Sequence, residues 1–88
     1  QWLARNFAVA RPVDEVIKRS SLAERTFKRR FASATGLAPI DYVQRLRVED
    51  AKRRLERTDA PVDEISWRVG YEDPAFFRRL FKRTTGMA

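Results

Sequence analysis

The chain has 88 residues, 19 of them Lys or Arg against 12 Asp or Glu, for a net charge of +7. It contains no cysteine and no histidine, which excludes disulfides, thiolate metal sites, cysteine nucleophiles and the commonest general base. No apolar run approaches the roughly 18 residues of a membrane span, and so basic a balance points to nucleic acid or an anionic surface.

Prolines and glycines fall between segments, and the apolar spacing is helical, so an all-α fold of six helices is expected. The first covers about Trp2 to Val9, anchored by Trp2, Leu3 and Phe7. The second starts at Pro12, whose missing N–H is harmless in a first turn, and ends near Arg19. Asp14 and Glu15 complement the positive end of its dipole. Ser21 to Glu24 has the pattern of a capping box for a third helix running to about Ala34, which Gly36 stops.

The fourth helix is predicted from Pro39 to about Thr58, with Glu49–Arg53 and Asp50–Arg54 as favourable pairs one turn apart. Its apolar residues, among them Ile40, Val43, Val48, Ala51 and Leu55, do not form one narrow stripe, as suits a helix touched on several sides. The fifth runs from Pro61 to Val69-Gly70. Asp73 then caps a sixth, which starts at Pro74, reaches about Thr84 and stops at Gly86. The expected organisation is residues 1–38, a linker helix over 39–58, and residues 59–88. The start at Gln1 and the abrupt Gly86-Met87-Ala88 suggest a piece of a longer protein.

The chain repeats itself. Pro12-Val13-Asp14-Glu15 recurs as Pro61-Val62-Asp63-Glu64. Phe27-Lys28-Arg29-Arg30-Phe31 with Thr35-Gly36 recurs as Phe77-Arg78-Arg79-Leu80-Phe81 with Thr85-Gly86. A segment of about 40 residues rarely buries enough surface to stand alone, so the copies should share a core or a connecting element. Each copy reads as short helix, tight turn, amphipathic helix, the layout of a helix-turn-helix, whose second helix enters the DNA major groove.

Charge and phase agree with that layout. Residues 23–33 carry +3 and residues 74–84 carry +4, the whole of the net excess. At 100° per residue, Phe27, Phe31, Ala34 and Ala23 share one face, with Arg25, Lys28, Arg29 and Ala32 opposite. Phe77, Leu80, Phe81 and Thr84, widened by Phe76, share another, with Ala75, Arg78, Arg79 and Lys82 opposite. Cationic side chains displace counterions from phosphates, and Arg can bond guanine O6 and N7 together. Arg25, Arg29 and Arg79 are the candidates for base readout, and Lys28, Arg78 and Lys82 for phosphates. Ala32 and Ala75 are small enough to allow close approach. The copies differ by one extra residue in the second turn and by Pro74-Ala75 in place of Glu24-Arg25, so two unlike half-sites are expected.

The acid pairs 14–15 and 63–64 come with no nucleophile, glycine-rich phosphate loop or metal cluster, so they read as helix starts, and neither enzyme activity nor a cofactor is expected. The rival to DNA binding is a basic helical adaptor for an acidic protein or structured RNA. The phenylalanine pairs lie opposite the cations, which favours core packing over stacking on single-stranded bases. Trp67 and Tyr42 read as core or boundary residues. The stem of Arg30, at the position of Leu80, is expected to pack with its head in water.

The run from Gly70 through Gly86 resembles the second helix-turn-helix of the AraC/XylS family of bacterial transcription regulators. Thr26 through Phe31, with Thr35-Gly36-Leu37-Ala38-Pro39, resembles that family's first motif, and Tyr42 through Ala51 is similar to its connecting helix. The resemblance implies two helix-turn-helix subdomains on a long helix, with recognition helices entering successive major grooves. It implies base-contacting roles for Arg25, Lys28 and Arg29, and for Pro74, Ala75 and Arg79. It further implies a cytoplasmic regulator with double-stranded DNA and RNA polymerase as partners, no membrane, and any oligomerisation through an absent N-terminal domain. Two positions depart from the family pattern: Ser21 stands where Gly is usual, and Ala23 where a capping Ser is usual.

Overall fold

Helix ends in this chain are set by local chemistry, and the computed structural model, which describes residues 2–86, shows where that chemistry acts. The described residues form only helices: α1 (Trp2–Asn6), α2 (Pro12–Ser20), α3 (Glu24–Thr35), α4 (Pro39–Arg57), α5 (Val62–Arg68) and α6 (Pro74–Thr85). Gln1, Met87 and Ala88 lie outside the described residues, and with them the expectation of a further segment after Gly86.

The chain divides into two compact units, residues 1–46 and 47–88, with α4 contributing to both. In the first unit α1 packs on α2 and α2 on α3. Leu3, Pro12, Pro39 and Val43 are its buried residues. Helix α1 is shorter than expected. The Asn6 side-chain amide donates to the Trp2 carbonyl at 2.8 Å, and the Val9 N–H turns back to Asn6 O at 3.2 Å. Such local side-chain bonds offer the backbone an alternative to another helical turn. The Arg19 guanidinium lies 4.8 Å from the Trp2 ring centroid, tying α2 to α1.

The second unit packs Val48, Ala51, Ile65, Val69, Phe77, Leu80 and Phe81 into one cluster, edged by Leu55, Ala60 and Tyr71. Helices α5 and α6 pack on each other here. Ser66 is buried within α5, and its hydroxyl donates to the Asp63 carbonyl at 2.7 Å. Arg47 is also buried, at 7% exposure, with its guanidinium 4.7 Å from the centroid of the Tyr71 ring. Burial raises the Tyr71 phenol above its ordinary pKa, against the pull of the Arg47 charge.

The expected capping box at Ser21–Glu24 does not form. Ser21 closes α2 in the left-handed region at φ 60°, and its N–H donates to the Lys18 carbonyl. Ala23 occupies the N-cap of α3 and has no side-chain acceptor to offer. Pro61 likewise sits just outside α5 as its N-cap rather than as its first residue. In α4, Arg53 and Arg54 both turn to Asp50, at 3.5 and 3.1 Å, and Glu49 pairs with Lys52 in place of the expected Arg53.

Candidate nucleic-acid interface

Both amphipathic helices end by the same device. Gly36 and Gly86 take left-handed φ values of 80° and 73°, and their N–H groups donate to Ala32 O and Lys82 O at 2.8 Å. The preceding Thr35 and Thr85 hydroxyls donate back to Phe31 O and Phe81 O. Their starts differ. Asp73 caps α6 by accepting from the Ala75 N–H at 3.0 Å, whereas α3 begins without a side-chain cap.

The inner faces hold the helices in place. On α3, Phe27 and Phe31 stack with centroids 5.7 Å apart, and Phe31 meets Tyr42 of α4 edge-on at 5.1 Å. Both phenylalanines are only partly buried, and α3 has no fully buried residue. On α6, Phe77, Leu80 and Phe81 are buried, and Tyr71 contacts the rings of Phe76 and Phe77. Phe76 itself is partly exposed. Ala34 and Thr84, assigned by phase to the inner faces, are exposed. Arg30 is exposed where Leu80 is buried.

The outer faces carry the candidate contacts. Arg25, Lys28 and Arg29 are exposed on α3, as are Ala75, Arg78, Arg79 and Lys82 on α6. Pro74 is partly buried as the first residue of α6. The cations are not equivalent. Lys28 pairs with Glu24 one turn earlier at 2.7 Å, and this bond holds the Glu24 carboxyl below the usual carboxylate range. Arg78 pairs with Asp63 of α5. Arg25, Arg29, Arg79 and Lys82 have no carboxylate partner among the described residues.

Two features of the structure differ from the sequence expectation. The acids Glu24 and Asp63, read as helix-start residues, each reach a cation of an outer face. Trp67 is 56% exposed, and its indole N–H donates to the Glu72 carbonyl at 3.3 Å, which pins the ring beside the turn. Helical phase does point Trp67 away from the buried Ile65 and Val69, about 160° from each at 100° per residue; its size and apolar character argued for the interior instead. The described residues contain no His, Cys, Asp and Glu grouping able to hold a metal.

A family model described as a helix-turn-helix domain matches residues 16–88. The chain is 38% identical over 82 residues to the HTH-type transcriptional activator RhaS of Escherichia coli (strain SE11), a match covering 93% of this chain and 30% of RhaS. The chain thus spans under a third of the length of that relative. Among solved structures, it is similar to the DNA-binding domain of AdpA, a global transcriptional factor, in complex with a target DNA. The TM-score is 0.92 and the identity 36%, over 99% of this chain and 78% of that one. It is also similar to the C-terminal domain of AraT, a response regulator from Geobacillus stearothermophilus, with a TM-score of 0.94 and 25% identity over 100% of this chain and 74% of that one.

Proposed function

We propose that this chain, which belongs to the AraC/XylS family of helix-turn-helix DNA-binding domains, reads double-stranded DNA with α3 and α6 in successive major grooves. One observation carries the reading. In each unit the second helix of a helix-turn-helix sets its aromatic face inward and leaves arginines without carboxylate partners on its exposed face. Such side chains can meet phosphates or the guanine edge without first giving up an internal bond. AdpA, similar along nearly the whole chain, binds its target DNA through the corresponding domain.

Arg25, Arg29 and Arg79 are assigned to base edges, Lys28, Arg78 and Lys82 to phosphates, and Pro74 and Ala75 to close approach at the start of α6. Segments 1–38 and 59–88 make the contacts, and 39–58 supplies core residues to both compact units. The same reading makes the chain part of a cytoplasmic transcription regulator that works with RNA polymerase. Oligomerisation, where it occurs, is assigned to a separate N-terminal domain.

Selection of bound sequences from random duplex DNA tests the proposal. The expected outcome is two unlike half-sites about one helical turn apart. A single short site would mean that only one helix reads bases. No preference among duplexes, with structured RNA or an acidic protein competing equally, would overturn the assignment.

A further inference from the structure

The two copies place a cation at the same station, Lys28 in α3 and Arg78 in α6, and in each copy that cation is paired with a carboxylate. The carboxylates come from different places. In the first copy Glu24, on α3 itself, supplies it. In the second, Pro74 stands at the position of Glu24, and Asp63 of α5 supplies the charge instead. The first copy also has the counterpart of Asp63, which is Asp14, but Asp14 is exposed and makes no ion pair among the described residues. Equivalent cations are thus neutralised by non-equivalent acids.

We propose that Glu24 and Asp63 are specificity-determining counter-charges, which compete with DNA phosphates for Lys28 and Arg78 and so hold down binding to non-cognate duplex. The inference rests on the DNA-binding function proposed above. Non-specific affinity is set almost wholly by the number of phosphates neutralised. A cation already paired adds less to that number than a bare one. Both pairs are solvent-exposed, with side-chain exposures of 50% and 66% for Lys28 and Glu24 and 55% and 44% for Arg78 and Asp63. Exposed pairs are weak and screened, so they yield where a cognate site docks the helix closely. On a loosely bound non-cognate duplex they persist.

The test measures binding of the 88-residue chain to its selected site and to a scrambled duplex over a salt series. Asp63→Asn is expected to tighten scrambled-duplex binding about 3-fold at low salt and to steepen the salt dependence by about one phosphate contact. Cognate affinity should rise less, so the ratio between the two falls. Asp14→Asn makes the same charge change at the equivalent repeat position and controls for net charge; its effect should be smaller. In an Arg78→Ala background Asp63→Asn should lose its effect. Glu24→Gln, whose pair lies within one helix, should act as Asp63→Asn does even if the latter loosens α5 from α6. An Asp63→Asn effect no larger than that of Asp14→Asn, or one that survives Arg78→Ala, would overturn the inference while leaving the DNA-binding reading intact. Absence of duplex binding by the unmodified chain would overturn both.

Discussion

Ser21 and Gly70 follow the first helix of each repeat at matching positions, and both adopt positive φ, 60° and 110°. Only one of them is suited to it. A residue with a Cβ in the left-handed region costs about 1–2 kcal/mol, and Gly does not incur that cost. Replacing Ser21 by Gly should therefore stabilise the first unit by about 0.5–1 kcal/mol, once the greater freedom of Gly in the unfolded chain is counted. Gly70→Ala should destabilise the second by about 1–3 kcal/mol. Thermal denaturation of the two variants should shift the midpoint in opposite directions; a fall for Ser21→Gly would show that the serine is not strained.

Ala23 leaves the first N–H groups of α3 without a side-chain acceptor, while Asp73 serves α6. Ala23→Ser should add about 1 kcal/mol of stability and Asp73→Ala should remove about as much. Urea titration provides the comparison. Equal midpoints for Ala23→Ser and the unmodified chain would mean that the new hydroxyl does not reach the N–H groups of the first turn.

Arg29 and Arg79 share one station on α3 and α6, and both are exposed without a carboxylate partner among the described residues. Arg29→Ala and Arg79→Ala should each cost about 1–3 kcal/mol on the selected site and relax base preference in one half-site only. Lys82→Ala should weaken all duplexes alike and flatten the salt dependence by about one contact. Equal losses on every sequence for the arginine variants would reassign them to phosphates.

Tyr71 gives the second unit a sensitivity to alkali. Its folded-state pKa is raised, chiefly by burial, so its contribution to stability is complete below the ordinary phenol pKa and is lost as pH rises through the folded value. Denaturant midpoints of the unmodified chain should thus fall above the ordinary phenol pKa, and those of Tyr71→Phe should fall less. Parallel decline of the two would place the alkaline transition elsewhere.

The helix boundaries were largely legible because Pro, Asp, Thr and Gly act on their immediate neighbours. Asp73 caps α6 and Gly36 and Gly86 stop their helices without reference to the rest of the chain. The outward phase of Arg25, Arg29 and Arg79 followed from helical geometry alone. What failed depends on tertiary packing or on competing local bonds. Asp63 meets Arg78 only because α5 folds against α6, and Arg47, distant from Tyr71 in sequence, is buried with its guanidinium over the Tyr71 ring. The phenylalanine pairs have the same spacing in both copies, yet Phe77 is 1% exposed and Phe27 only partly buried. Periodicity gives direction along a helix but not how much surface waits on the other side.

The two tryptophans of the chain fall one to each compact unit. Trp2 is partly covered and has the Arg19 cation near its ring, while Trp67 stands in solvent with its N–H bound to the turn before α6. Each unit therefore contains its own fluorophore. Trp2→Phe leaves an emission that follows the second unit alone, and Trp67→Phe one that follows the first, without an added label. An aqueous quencher should reach Trp67 more readily than Trp2, and opening of the turn that leads into α6 should be visible as a change in Trp67 emission before the unit unfolds.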